Sequence, residues 1–257
     1  MNPYFDTGRI EQDSPAAHVI VLPDCESTNT EALRLVEKTQ VPLPCFVGTP
    51  CQTAGRGRGS HRWFSSPGAL TFSLIDDVAD IATQDRGSIG LTVGITIAQI
   101  LERLVPLDVT VQLKWPNDIF IQEKKLGGIL IESAASQPSQ IVIGIGLNVN
   151  NSLQLAPSDV RQRGIAITDV TGTTIDLTHL VVLLLNQLDQ NLALLKSKQL
   201  DIPTLWNPRC MLNHSEVSLA QGDLVHQGRC CGVASDGALI INVAGQLRQF
   251  YSGVIQE

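Results

Sequence analysis

Several motifs that announce chemistry are missing from this sequence. Its six cysteines contain no Cys-x-x-Cys pair and its five histidines no His-Glu-x-x-His, so a built-in metal centre has no support. Vicinal Cys230 and Cys231 cannot both point into one unstrained tetrahedral site. The cysteines read as reduced thiols of a cytoplasmic protein. No Gly-x4-Gly-Lys-Ser/Thr occurs, which removes the P-loop. Gly55-Arg56-Gly57-Arg58-Gly59 has Ser60 where a dinucleotide fingerprint needs its third glycine, and Gly144-Ile145-Gly146 lacks that glycine too. With no Gly-x-Ser-x-Gly elbow either, hydride transfer and serine hydrolysis are left without a motif. Residues 1–17 show no basic start followed by an apolar run, and clean apolar stretches such as 180–185 are far too short to span a bilayer. Internal repeats and low-complexity segments are also absent.

What remains is a globular composition. The 257 residues are 43% hydrophobic and 17% charged, enough for one large domain or one large and one small. A net charge of −7 argues against a general nucleic-acid binder, which is normally basic. On this acidic body sits one basic stretch. Between an apolar run ending at Val47 and another including Leu70, Phe72 and Leu74, the segment Gly55–Trp63 holds three glycines, three arginines and His61. Glycines let successive backbone amides approach an anion, and arginines add a fixed fork of donors. Two readings stay open on composition alone: a loop that closes over an anionic ligand, or a solvated basic turn of the kind that touches RNA.

Along the chain, residues 1–17 read as a loose polar arm and 18–22 as a short strand. Thr28 with Glu31 fits a capping box opening a helix, so Ser27, Thr28 and Asn29 either cap it or present polar groups to a ligand. A strand enters the basic segment at 46–49 and another follows at 70–75. Ile89, Val93, Ile97, Ile100 and Leu104 predict an amphipathic helix over 88–105. A strand at 109–113 runs into Lys114-Trp115-Pro116-Asn117-Asp118, where proline ends the ladder and polar residues emerge. Residues 119–121 and 126–132 predict a hairpin around Gln122-Glu123-Lys124-Lys125, the lysine pair at its tip being either a solvated edge or, with Gly127-Gly128 close behind, a place for a ligand to approach. The strand at 141–146 carries Gly144 and Gly146 on one face, suited to a ligand floor or to close helix packing. Residues 161–176 are polar and turn-rich, and 177–196 predict a second long helix. Short strands at 216–220, 224–230, 238–243 and 246–251 predict a small all-β barrel.

Four clusters stand in order: Ser27-Thr28-Asn29; Gln52 through Arg58 with Trp63; Lys114-Trp115-Pro116-Asn117-Asp118 with Lys125; and Gly144-Ile145-Gly146-Leu147-Asn148. Their order and spacing resemble the biotin–protein ligases, strongly over residues 18–150 and weakly over the C-terminal barrel. The resemblance implies an α/β (α+β) fold, with a class II synthetase-like mixed β-sheet flanked by helices and a small C-terminal SH3-like barrel. It divides the chain into a catalytic domain at 1–212 and a barrel domain at 213–257. It implies that biotin and MgATP give biotinyl-5′-adenylate, from which biotin passes to a lysine of a biotin carboxyl carrier domain of acetyl-CoA carboxylase or a related carboxylase.

By the same resemblance, Arg58 and Lys125 sit where the family contacts the biotin carboxylate and the α-phosphate, and Asp118 is a candidate to steer or deprotonate the carrier lysine. Biotin contacts fall on Ser27, Thr28, Asn29, Gln52, Arg56, Gly57 and Gly128, with Gly144 and Gly146 giving room to the bicyclic head group. Adenylate contacts fall on Arg56, Arg58, Trp63, Lys114, Asn117, Lys125 and Asn148. The chain departs from the pattern at His61, where many bacterial members have arginine. It also has only residues 1–17 ahead of the first strand, where repressor members carry a helix-turn-helix, so no DNA partner is expected. A homodimer is left open. The competing expectations are a lipoate–protein ligase, which shares the fold and the adenylation chemistry, and a non-enzymatic RNA-binding domain using the Arg-Gly loop.

Overall fold

The computed structural model describes residues 4–256. A seven-stranded sheet forms its centre: β1 (His18–Val21), β2 (Cys45–Thr49), β3 (Leu70–Asp77), β4 (Val111–Lys114), β5 (Asp118–Ile121), β6 (Lys124–Ser133) and β7 (Gln140–Leu147). Their spatial order is β1-β2-β3-β7-β6-β5-β4. β1 and β2 are parallel and the remaining neighbours antiparallel, so the sheet is mixed as expected.

The two faces of the sheet are unequally covered. The heavy side packs under α3 (Ile89–Leu101) and α6 (Leu177–Lys196), whose apolar residues bury against Phe72, Leu74, Ile143 and Ile145. In α3 eleven of thirteen residues are buried, which explains why its pattern is apolar nearly all round. The light side carries α2 (Thr28–Lys38), lying on β2, β3, β6 and β7 over a small cluster of Ala32, Val36, Val47, Ile75 and Val142. Where α2 ends, the sheet is left for the functional site.

Four local expectations need correction. Within the expected arm, Thr7–Asp13 forms α1, capped by the Asp6 carboxylate accepting from Arg9 N–H. It is held down by buried Ile10 and by Phe5, whose ring meets Phe46 edge-on at 5.7 Å; residues 1–3 of that arm lie outside the described residues. The N-cap of α2 is Ser27, not Thr28, and its hydroxyl makes no capping bond. The hairpin turns at Gln122-Glu123, both at positive φ (50° and 61°), so Lys124 and Lys125 belong to β6 and not to a tip. The turn-rich segment contains two short helices, α4 (Ser158–Arg163) and α5 (Ile167–Thr171).

After α7 (Ile202–Trp206), a second antiparallel sheet of five strands completes the chain: β8 (Glu216–Gln221), β9 (Leu224–Val233), β10 (Leu239–Val243), β11 (Gln246–Phe250) and β12 (Val254–Gln256). Four were expected. The fifth, β12, folds back beside β8, giving the order β11-β10-β9-β8-β12. Its interior residues Val217, Leu219, Cys230 and Ile241 belong to the same continuous core as Trp206, Cys210 and the large sheet. Among the described residues no helix is long and apolar enough to cross a membrane.

Candidate active site

Strand register builds the floor. Cross-strand partners share a face, and the pairs Thr71–Gly146, Gly146–Gly128, Gly128–Asp118 and Asp118–Lys114 form one row across β3, β7, β6, β5 and β4. The adjacent row is Ser73–Gly144–Leu130. Two glycine-bearing rows on the lightly covered face thus make a depression bordered by Asp118 and Lys114.

The space the glycines leave is taken by two other site residues. A Cβ at Gly144 would lie 2.1 Å from Asn29 Oδ1, and one at Gly146 would lie 2.6 Å from the Trp63 indole. Close approach is their local cause: at Gly144 by α2, which is the helix packing expected, and at Gly146 by Trp63 of the basic loop, which is not a helix. It seats the α2 N-terminus and the end of the basic loop on the floor.

A hydrogen-bonded chain fixes the polar wall. Thr28 N–H donates to Gln52 Oε1 at 2.7 Å, and Thr28 Oγ1 lies 2.8 Å from Ser73 Oγ. Ser73 donates to Asn29 Oδ1 at 2.6 Å. Asn29 Nδ2 donates to the Leu130 carbonyl at 3.1 Å and to Glu132 Oε2 at 2.9 Å. Apart from the Glu132 carboxylate, these are neutral donors and acceptors held in defined orientations by a largely buried network, the condition under which such groups are most selective. Beside them, burial and secondarily the Glu31 carboxylate push the Cys25 thiol up to about 11, so it stays protonated and unreactive.

The basic loop folds over the floor through its own backbone, with Gly57 N–H on the His61 carbonyl at 2.8 Å and Trp63 N–H on the Gly55 carbonyl at 2.9 Å. Three cations that line the cleft, two from this loop and one from β6, have acceptors. Arg56 pairs with Glu132, Arg58 Nη1 donates to the Gly253 carbonyl at 2.8 Å, and Lys125 Nζ lies 2.8 Å from Asp118 Oδ1. All three are 40% exposed or otherwise only part-buried, so solvent screens them and an arriving anion can compete for them.

The cleft, partly open to solvent, has a volume of about 690 Å³, the size of a small-molecule site. It is lined by Ser27, Thr28, Asn29, Gln52, Arg56, Gly57, Arg58, Trp63, Lys114, Asn117, Asp118, Lys125, Gly128, Gly144 and Gly146. Asn148 is the exception. It is buried, its Oδ1 accepts from Asn151 Nδ2 at 3.0 Å, and it does not line the cleft. Its position one residue past β7 turns it into the loop interior, a direction that motif spacing does not report.

Asn117 lines the cleft while its amide is tied to the Ile129 carbonyl at 2.8 Å, fixing the turn after Pro116. Trp63 Nε1 is buried without a hydrogen-bond partner. Residues that sequence reasoning missed are Ser73, Glu132, Arg163 and two segments of the C-terminal sheet, 220–222 and 252–255. A serine inside the apolar run of β3 was a readable signal. The C-terminal segments gave none, because only tertiary packing brings them to the cleft.

Comparisons with known proteins place the fold and the family. Residues 21–148 match the model of the biotin/lipoate A/B protein ligase family. The bifunctional ligase/repressor BirA of Salmonella typhimurium is 30% identical over 255 residues, spanning 98% of this chain and 78% of that protein. The biotin–[acetyl-CoA-carboxylase] ligase of Mycobacterium tuberculosis is 28% identical over 76% of this chain and 72% of its own length. Among solved structures, the biotin protein ligase of Aquifex aeolicus in complex with biotin and ATP superposes with a TM-score of 0.79 at 26% identity, covering 93% of this chain and 97% of that one. The chain belongs to the biotin/lipoate A/B protein ligase family, among its biotin–protein ligases.

Proposed function

We propose that this enzyme activates biotin with MgATP to biotinyl-5′-adenylate and then transfers biotin to a lysine of a biotin carboxyl carrier domain. The observation that carries the reading is the convergence of Arg56, Arg58 and Lys125 over a glycine floor bounded by a neutral hydrogen-bonded wall.

In the first step a carboxylate oxygen attacks the α-phosphorus and pyrophosphate leaves. Both reactants are negative. At ~4 Å two unit charges repel by about 1 kcal/mol in water but ~4 kcal/mol at an effective dielectric of 20, so a closed site must supply cations. We assign that task to Arg58 and Lys125, which line the cleft, since cations positioned in advance are a main catalytic term. Their present acceptors, a backbone carbonyl and Asp118, hold them near the floor until the anions arrive. The head group of biotin is a neutral urea in an apolar bicycle, which suits Ser27, Thr28, Asn29 and Gln52. Trp63 closes the floor at Gly146 and stands where a base can stack. Arg56 and Gly57 complete a loop that orders over the adenylate and excludes water.

In the second step the carrier amine attacks the anhydride carbonyl and AMP leaves. An ammonium must first lose its proton. Asp118, at the border of the floor beside Lys125, is the candidate to steer it or accept that proton. Magnesium enters as MgATP, part of the substrate; the described residues form no cluster of three or more metal-ligating side chains. We place the catalytic unit at 1–212 and the C-terminal unit at 213–257. The unpaired thiols fit a reducing cytoplasm.

The test is to incubate the protein with MgATP and a biotin carrier domain, offering biotin or lipoate, and to read the carrier by intact mass. An ATP-dependent biotin increment on one lysine is the expected result. Lipoate transfer alone would move the specificity, and transfer of neither acid would overturn the reading.

A further inference from the structure

Glu132 does not line the cleft, yet it touches two residues that do. It lies on β6 one pleat beyond Leu130, on the face that carries Gly128 and the floor. Its Oε2 accepts from Arg56 Nη2 of the basic loop and, at 2.9 Å, from Asn29 Nδ2 at the start of α2. The remaining amide hydrogen of Asn29 goes to the Leu130 carbonyl, and its oxygen takes Ser73. Asn29 has no spare orientation, because the missing Cβ of Gly144 is the space it fills. One carboxylate oxygen therefore joins a loop that must move to a wall that must not.

We propose that Glu132 is a positioning residue that anchors Arg56, and through it the basic loop, to the Asn29 wall. The proposal rests on the adenylation reading above. It follows from the geometry of Arg56, which lines the cleft while one nitrogen is held from behind by Glu132. With that nitrogen held, the rest of the guanidinium faces the ligand and the loop is kept over it. Glu132 is set back from the cleft with Arg56 in front of it, so its own negative charge is covered from the ligand's anion. An ordinary half-exposed ion pair changes an equilibrium by about two- to fivefold at most. Sharing one oxygen with a rigid amide raises the expected coupling, because the acceptor cannot turn to follow a departing arginine.

The experiment compares wild type, Glu132→Gln, Arg56→Ala and the double variant. It measures the rate of adenylate release by chase with unlabelled biotin and ATP, the KM for biotin, and kcat for adenylation. Glu132→Gln keeps an acceptor for Asn29 and removes the charge. Release and KM should rise at least about threefold with kcat nearly unchanged, and the Gln change should add nothing on the Arg56→Ala background. Should Glu132→Gln fail to fold, Glu132→Asp draws the carboxylate back from Arg56 while keeping its charge, and the same rise is expected. Wild-type release and KM in the folded variant would overturn the proposal. So would an equal effect with and without Arg56, which would mean that Glu132 acts through Asn29 alone. If wild type itself forms no adenylate from biotin, it is the parent reading that has failed.

Discussion

Arg58 and Asn148 sit at opposite ends of one trade-off. Arg58 is part-buried and makes its hydrogen bond to the Gly253 carbonyl; losing it should cost the fold about 0.5–1.5 kcal/mol. Removing a cation aimed at developing charge costs about 10²-fold in rate or more. Arg58→Ala is therefore expected to melt within a few degrees of wild type and to form adenylate about a hundredfold more slowly. Lys125→Ala should behave alike, since the Asp118 it leaves is partly solvated. Pyrophosphate release and thermal melts on the same samples check both halves, and normal rates in both variants would refute the assignment. Asn148→Ala should show the reverse. It strips a buried acceptor from Asn151, at about 1–3 kcal/mol, while touching nothing in the cleft. Urea titration should show the lost stability and kinetics an unchanged KM for biotin and ATP.

At the scale of elements, the far end of β3 carries an unusual acid. Burial is the main force that raises the Asp76 carboxyl above its ordinary range, opposed by the Asp77 backbone N–H that it accepts at 2.8 Å. A carboxyl raised in the folded state binds its proton more tightly there than in the unfolded chain. Ionisation near neutral pH therefore works against folding, and protonation at acid pH relieves it. Asp76→Asn keeps the acceptor and removes the charge. It should be more stable than wild type at pH 7, with the advantage shrinking as the pH falls toward the unfolded pKa of 3.8; melts across that range test this. Elements long enough to show a period were legible in the sequence. α6 falls on the expected 177–196, and β7 on the expected glycine-bearing strand. Pieces with less than two periods were not. α1 spans seven residues and β12 three, and both owe their form to contacts with distant chain. The turn expected over 122–125 was not narrowed to Gln122-Glu123, because neither residue is the asparagine or glycine that normally marks positive φ.

At the scale of the whole molecule, the motif residues were legible because spacing preserves them, but what holds them was not. Trp115, inside the Lys114–Asp118 run, is buried and donates its indole N–H to the Gly237 carbonyl of the C-terminal unit at 3.2 Å. Val233 N–H reaches Asn207 Oδ1 at 2.9 Å, and Arg58 reaches Gly253 across 195 residues of sequence. No local pattern encodes such pairs. Their consequence is that the small sheet forms one wall of the cleft and shares its core with the large one. A fragment ending at residue 212 would uncover Trp206, Cys210 and Trp115 and lose the partners of Leu212. Exposing a large apolar side chain costs about 1.5–3 kcal/mol, and three or four such losses rival the ~5–15 kcal/mol that holds a domain together. Residues 1–212 alone are expected to show helical far-ultraviolet dichroism without a cooperative melt and to form no adenylate. A fragment that melted cooperatively and made adenylate would show instead that the C-terminal sheet is an accessory, and that the wall it gives the cleft serves only the transfer step.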